Sequence, residues 1–384
     1  MLNLAGTRSY RPDIDGLRAI SLLVVVFFHS YVDLFSGGFV GVDVFFVISG
    51  YLITKIIFRE IRDGTFSLID FYDRRLRRII PPLFFMSLTF TIAGLFIFLP
   101  DDLSNFGLAL AAMSVFISNI LFAHQESYFS SSNNFFLHSW SICLEEQFYF
   151  LFPLLLIITR NWKTSRVATF LIFTIIASLA LAEVMIDNSP WRAFYMLPTR
   201  TWEFAIGAIL AIGIFPKIKS AWLRNAGILV GLLMIIGASI YFDSTWRFPG
   251  MFALFPCIGA ALIIHGGNGG GLTGLLLGSR PLVFLGRISY SVYLWHWPMM
   301  VSLSYLADHR LSFFARLSVV FASILIGALS WRYIELPFRS RRIIPDPKKL
   351  LIIAASGLAM LTCRLGAALE QRLTNSIARD SFRI

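Results

Sequence analysis

Apolar runs of about twenty residues recur along almost the whole chain, separated by short polar loops, and each is long enough to cross a bilayer as a helix. They predict spans at about 17–35, 39–58, 80–99, 140–158, 167–186, 201–215, 225–242, 250–265, 288–306 and 313–333. The first run is not followed by a small-residue cleavage site, so it reads as a retained helix rather than a signal peptide. The segment NFGLALAAMSVFISNILF (105–122) is equally apolar. If it crossed, RNWKTSR (160–166) would fall on the side opposite the other basic loops. It is therefore expected to be a re-entrant or interfacial helix. After Lys349 an eleventh run, LLIIAASGLAMLTC, leads to a polar tail too short to be a domain. The expected fold is all-α: a polytopic membrane protein with a ten-helix core, the re-entrant helix and an eleventh, C-terminal helix. Residues 8–342 form its transmembrane domain, and 343–384 a linker, the last helix and a short extracytoplasmic tail.

Composition agrees. The 384 residues are 57% hydrophobic and 14% charged, with a mean hydropathy of +0.73, whereas a soluble domain is about a quarter charged. A net charge of +11 is compatible with a nucleic-acid partner, but the cations gather in short loops between spans, which is a topology signal. Arg8, Arg11 and Arg18 put the N-terminus in the cytoplasm. The loop with Arg59, Arg62, Arg74, Arg75, Arg77 and Arg78 and the closing ELPFRSRRIIPDPKK fall on that same side. Cys143, Cys257 and Cys363 lie far apart, so neither a disulfide framework nor a CxxC site is expected. No His, Cys and carboxylate cluster has ligand spacing, so no metal is expected.

Ionisable residues inside a bilayer are costly and mostly face a cavity or a partner. His29 lies about twelve residues into the first run, roughly 18 Å deep. Arg18 precedes it by eleven positions, which at about 100° per residue returns to the same helix stripe, and Asp15 lies on that side too. A basic mouth and a titratable base would then face one lumen; the alternative is a core histidine bonded to a neighbouring carbonyl. Asp43, in GGFVGVDVFFVISGYLIT, either orients that imidazole or caps its own helix. In FYDRRLRRIIPP, Arg75 and Arg78 are three apart, a spacing suited to clamping phosphate, although topology alone also explains such clusters. HSWSICLEEQFYFLFP sets His138, Ser141, Glu145 and Tyr149 on a polar stripe entering the bilayer, which favours a cavity-facing role. In RISYSVYLWHWPMM, Tyr293 and His296 are one turn apart beside a kinking proline, equally a packing feature. WRYIELPFR spaces Arg332, Glu335 and Arg339 along a helix, as an ion-pair network or a cytoplasmic ligand contact.

Six blocks, YRPDIDGLRAISLLVVVFFH, GGFVGVDVFFVISGYLIT, FYDRRLRRIIPP, HSWSICLEEQFYFLFP, SYSVYLWHWPM and IELPFR, occur in an order that resembles the acyltransferase-3 family of bacterial membrane O-acyltransferases. The resemblance covers residues 8 to 342. It implies transfer of an acyl group, usually acetyl from cytoplasmic acetyl-CoA, to a hydroxyl of a surface or lipid-linked glycan beyond the inner membrane. The arginine–ten–histidine motif maps onto Arg18 and His29, with His29 essential, and the paired-arginine motif onto Arg75 and Arg78. In many relatives an eleventh helix leads to an extracytoplasmic SGNH-type domain; this sequence keeps the helix without a GDS block, which leaves three alternatives: transfer by this chain alone, a separate SGNH-type partner, or a truncated form.

On this reading the catalytic group comprises His29, Glu145 and Asp43, and the donor-binding group Arg18, Arg75, Arg78, Arg332 and Arg339. Ser141, Tyr149, Tyr293, His296 and Glu335 give support. The expected partners are acetyl-CoA, a glycan acceptor and membrane lipids, without nucleic acid. His29 would be a general base or a covalent acyl carrier. The rival is a transporter of an anionic metabolite or lipid-linked sugar using the same basic mouth and polar lumen. Inverted repeats would favour it, and none is evident. A structural scaffold would leave the buried His29 unexplained.

Overall fold

Several helices begin where the sequence supplies a cap: the hydroxyls of Ser67, Ser220 and Ser312 accept from the backbone N–H three residues on. The structure, a computed structural model, describes residues 10–124, 128, 134–267, 271–308, 311–353 and 355–362. Arg8, Cys363, the C-terminal tail and parts of the 124–138 and Gly-rich loops lie outside the described residues. Among the described residues there is helix and no strand.

The helices are α1 (Pro12–His29), α2 (Gly41–Arg62), α3 (Leu68–Ile97), α4 (Pro100–Ser114), α5 (Ser118–His124), α6 (Ser139–Ile158), α7 (Thr164–Asn188) and α8 (Pro190–Tyr195). They continue with α9 (Leu197–Ala211), α10 (Ala221–Tyr241), α11 (Leu254–Gly266), α12 (Gly271–Leu276), α13 (Arg280–Leu306) and α14 (Phe313–Ser330). A π-helical turn, Trp331–Glu335, leads from α14 into the short α15 (Leu336–Arg339). Residues 347–353 and 355–362 are also helical. Six helical segments are long and apolar enough to cross a membrane. Ile172, Phe173 and Ile176 on α7 and Phe321 and Leu325 on α14 are exposed. Water does not tolerate so extensive an apolar belt. This is a multi-pass membrane protein.

Two boundaries differ from expectation in ways that shape the site. Helix α1 stops at His29 rather than near 35. Tyr31 N–H bonds to Phe28 O and Val32 N–H to Phe27 O, closing the helix in a Schellman-type turn with Tyr31 at φ +53°. His29 is thus the last helical residue, not a mid-helix one. Helix α3 begins at Leu68, twelve residues before the predicted span, so all four clustered arginines are helical. The 105–122 segment divides into α4 and α5, broken around Phe116 at φ +58°. At 15 and 7 residues, neither is as long as a span.

Helix α1 packs against α13 and α2, and α2 against α9 and α6. The α1–α13 contact is close enough to be set by a missing side chain. A Cβ on Gly286 would sit 1.8 Å from the Asp15 carbonyl oxygen. That approach aligns Arg18 with Ser289 and brings His29 to His296.

Candidate active site

Two cavities open around α1, one near Arg18 and the other at His29. Eleven residues of helix separate these side chains, about 16 Å along the axis. The basic cavity, about 820 Å³ with its open mouth, is lined by Arg18, Arg75, Arg78, Glu145, Glu146 and Tyr149, among others. Ser49 on α2 donates to Glu145 at 2.8 Å, and the Tyr149 hydroxyl approaches the same carboxyl at 3.3 Å. The Arg75 guanidinium lies 4.2 Å from the Tyr149 ring centroid, a cation–π contact that points the arginine along the cavity wall. Arg18 is held by Ser289 at 2.7 Å and by Asp15 at 3.5 Å.

The four arginines of α3 separate by helical phase. Arg75 and Arg78 line the cavity. Arg74 turns to Glu60 at 3.0 Å. Arg77 is 1% exposed, pairs with Asp73 at 2.8 Å and donates to the carbonyls of Ile344 and Pro345 at 2.6 Å each. Arg77 therefore clamps the segment after α15 onto α3, leaving two cations for an anionic ligand.

The second cavity, about 950 Å³ with its open mouth, is aromatic, lined by Phe28, His29, Tyr31, Phe35, Tyr128 and Trp297, with Asp243 and Ser244 at its edge. His29 Nδ1 meets His296 Nε2 at 2.8 Å, and His29 Nε2 meets the Tyr128 hydroxyl at 2.7 Å. His296 Nδ1 lies 2.6 Å from the Tyr293 carbonyl oxygen. A carbonyl only accepts, so His296 Nδ1 carries hydrogen and, in a neutral ring, its Nε2 is the acceptor. His29 Nδ1–H then donates to it, which leaves the lone pair of His29 Nε2 toward Tyr128. Packing fixes the ring as well, with the Trp297 indole set edge-on 4.7 Å away. The Trp297 N–H donates to Asn134 O at 2.9 Å.

One residue joins the two cavities. Tyr293 lines the basic cavity with its side chain, bonding Ser141 at 2.8 Å, while its carbonyl holds His296 on the His29 side. The Tyr293 hydroxyl also donates to the His138 carbonyl at 3.1 Å. Tyr293 and His296 thus link the lining of the basic cavity to His29.

The family of membrane proteins described as "Acyltransferase domain", acyltransferase-3, matches this chain over residues 11–332. The chain belongs to that family. Acyltransferase-3 relatives include the O-acetyltransferase OatA of Staphylococcus aureus (strain NCTC 8325), 31% identical over 361 residues, which are 86% of this chain and 58% of OatA. A second is the "Putative membrane-bound transacylase BcsY" of Komagataeibacter xylinus, 32% identical over 366 residues, 92% of this chain and 90% of BcsY. The chain thus spans less than two thirds of the OatA length. No solved structure matches.

Arg18, Arg75 and Arg78 share the basic cavity with Glu145, Tyr149, Ser141 and Tyr293, and His29 meets His296 directly. Other expectations need correction. Asp43 does not reach His29. Its carboxyl pairs with Arg200 at 2.5 Å, and Arg200 also binds Glu203 at 2.5 Å, all three side chains buried. The sequence near Arg200 gave no sign that a full cation lay opposite Asp43. Glu335 is buried, accepting from Ser291 at 3.0 Å, and pairs with half-exposed Arg339 at 3.7 Å. Arg332 is exposed and lines neither cavity. The turn of α14 into a π-helix at Trp331 changes the phase that equal spacing assumed. Tyr128 sits in a polar stretch with no periodicity, so nothing in the sequence marks it as a partner of His29. Among the described residues no group of His, Cys and carboxylates is arranged to hold a metal.

Proposed function

We propose that this protein transfers an acyl group, acetyl foremost, from acetyl-CoA bound at the basic cavity to a hydroxyl presented in the aromatic cavity. The observation that carries the reading is the His29 lone pair held toward the Tyr128 phenol, with His296 tying that ring to Tyr293 of the basic cavity. Arg75 and Arg78 would take the phosphates of the donor while its pantetheine arm extends past Glu145 and Tyr149 toward Tyr293. As the Tyr128 oxygen attacks the thioester carbonyl, His29 Nε2 takes the phenol proton; the C–S bond breaks and the thiolate recovers that proton. The acyl tyrosine then passes its acyl group to an acceptor hydroxyl, deprotonated by the same nitrogen, and the phenol is restored.

The acceptor we infer is a glycan at the cell surface or on a lipid carrier, in keeping with the O-acetyltransferase name of the staphylococcal relative. Residues 8–342 form the transferring domain, with ten crossings of the bacterial inner membrane. The N-terminus and the basic cavity face the cytoplasm, and the loop with Asp243 faces outward. Anionic lipids would meet the basic loops, and an SGNH-type domain, where present, would act after the aromatic cavity. The test is mass spectrometry of surface glycans from strains with and without the gene, and with His29→Ala. Acyl esters lost in both the deletion and the His29 variant are expected; esters unchanged in the deletion strain would overturn the reading.

A further inference from the structure

Tyr31 stands where the helix C-terminus would cost least with glycine. It is the left-handed residue of the turn that ends α1, at φ +53°, a conformation in which a Cβ is unfavourable. It nevertheless carries a large ring, 53% exposed, at the lip of the aromatic cavity. Its placement is built from behind: Arg316 on α14 donates to the Tyr31 carbonyl at 3.2 Å and sets its guanidinium 5.6 Å from the ring centroid. An exposed aromatic in an unfavourable backbone state, held by a cation from another helix, points to a surface kept for contact rather than for folding.

Asp243 lies on the same cavity. Its Oδ1 accepts the Thr245 N–H at 2.7 Å and the Thr245 hydroxyl at 2.6 Å. The Thr245 hydroxyl first, then its N–H, hold this carboxyl below its ordinary range, so it is an anion at neutral pH. Oδ1 is engaged, and no hydrogen bond from a described residue is made to Oδ2. The cavity thus offers aromatic rings for stacking and one anionic acceptor for hydroxyl groups. Among the described residues that line it there is no Lys or Arg.

We propose that Tyr31 and Asp243 form the acceptor subsite and select an uncharged sugar ring. The C–H face of the ring stacks on Tyr31, and a ring hydroxyl donates to Asp243, presenting another hydroxyl to His29 and Tyr128. A uronate or a phosphorylated sugar would meet the Asp243 charge with no Lys or Arg among the described lining residues to offset it, Arg316 standing behind the Tyr31 ring and bonded to its carbonyl. This inference rests on the acyl-transfer reading and adds the class of acceptor and the residues that choose it.

The test expresses the full chain in the deletion strain as wild type, His29→Ala, Tyr31→Gly, Tyr31→Phe and Asp243→Asn. Acyl esters per surface glycan and the identity of the esterified residue are read by mass spectrometry. Membrane level, melting temperature and acetyl-CoA affinity of the purified proteins are read alongside. Expected for Tyr31→Gly is a loss of about tenfold in esters with a melting temperature equal to or above wild type and unchanged acetyl-CoA affinity, a combination a merely structural tyrosine would not give. Tyr31→Phe keeps the esters, Asp243→Asn loses about tenfold, and the esterified residue is an uncharged sugar. Wild-type ester levels in Tyr31→Gly and Asp243→Asn, or esters found on uronates or phosphosugars, with His29→Ala inactive, would overturn the subsite alone. Full esterification in His29→Ala, or unchanged esters in the deletion strain, would overturn the transfer reading and the subsite with it.

Discussion

The Nδ1 of His29 and the Nε2 of His296 lie 2.8 Å apart, and this one contact fixes which nitrogen of His29 can act as a base. His296 is itself fixed by the Tyr293 carbonyl, so the donor direction runs from His29 to His296 to Tyr293. The lone pair on His29 Nε2 follows from hydrogen-bond complementarity. His296 is thus a positioning residue.

Replacing His296 by Leu removes the acceptor for His29 Nδ1–H, and the ring is free to adopt the other tautomer. Transfer is expected to fall by about a hundredfold with donor affinity unchanged. His296→Gln, whose amide oxygen can accept the same hydrogen, is expected to recover much of that loss. Steady-state rates of acetyl-CoA consumption in detergent would check both. Equal losses in Leu and Gln would show that packing, not the accepted hydrogen bond, is what His296 contributes.

Much of this architecture could be read from the amino-acid order, because hydrophobic spacing and loop charge are local properties. The apolar runs are helical, and six helical segments among the described residues are long and apolar enough to cross a membrane. Arg18 and His29 both meet α13, but they line two cavities and not the one lumen expected. What escaped were relations between distant segments. Which of Arg74, Arg75, Arg77 and Arg78 faces a ligand depends on where Glu60, Asp73 and the 344–345 carbonyls lie. That Asp43 serves Arg200 depends on α2 meeting α9, 157 residues apart. Tyr128 reaches His29 from an aperiodic loop, where no pattern marks a functional residue.

The division among those arginines gives the second prediction. Arg75→Ala and Arg78→Ala should each weaken acetyl-CoA binding about tenfold to a hundredfold, since each removes a charged hydrogen-bond donor. Arg74→Ala, whose partner Glu60 lies outside the cavity lining, should leave donor affinity within about twofold. Arg77→Ala should instead lower stability, since it leaves the carbonyls of Ile344 and Pro345 without their donor and Asp73 with Arg341 alone. Titration with acetyl-CoA and thermal unfolding of the same four proteins separate the outcomes.

At Gly286, a Cβ would have to share space with the Asp15 carbonyl, which belongs to backbone and has no rotamer to change. Gly286→Ala is expected to push α13 off α1 and cost about 1–3 kcal/mol of stability. Because Arg18–Ser289 and His29–His296 lie on the same helix pair, activity should fall with it. A thermal shift in detergent against wild type measures the first effect, and acetyl-CoA turnover the second. An Ala variant with unaltered stability would mean that the helices are less tightly apposed.

The buried group of Arg200, Asp43 and Glu203 supplies the last prediction. One guanidinium is shared by two carboxyls, with Phe46, Trp140, Phe194 and Phe248 around it. The second oxygens of Asp43 and Glu203 have no hydrogen-bond partner among the described residues. Arg200→Met removes the only cation paired with either carboxyl there and should cost about 3–5 kcal/mol, seen as a lower unfolding temperature or failure to accumulate in the membrane. Combining it with Asp43→Asn and Glu203→Gln removes the stranded charges and should recover a large part of that stability. If the triple variant is no more stable than Arg200→Met alone, the loss comes from the packing of the guanidinium among aromatic rings rather than from uncompensated charge.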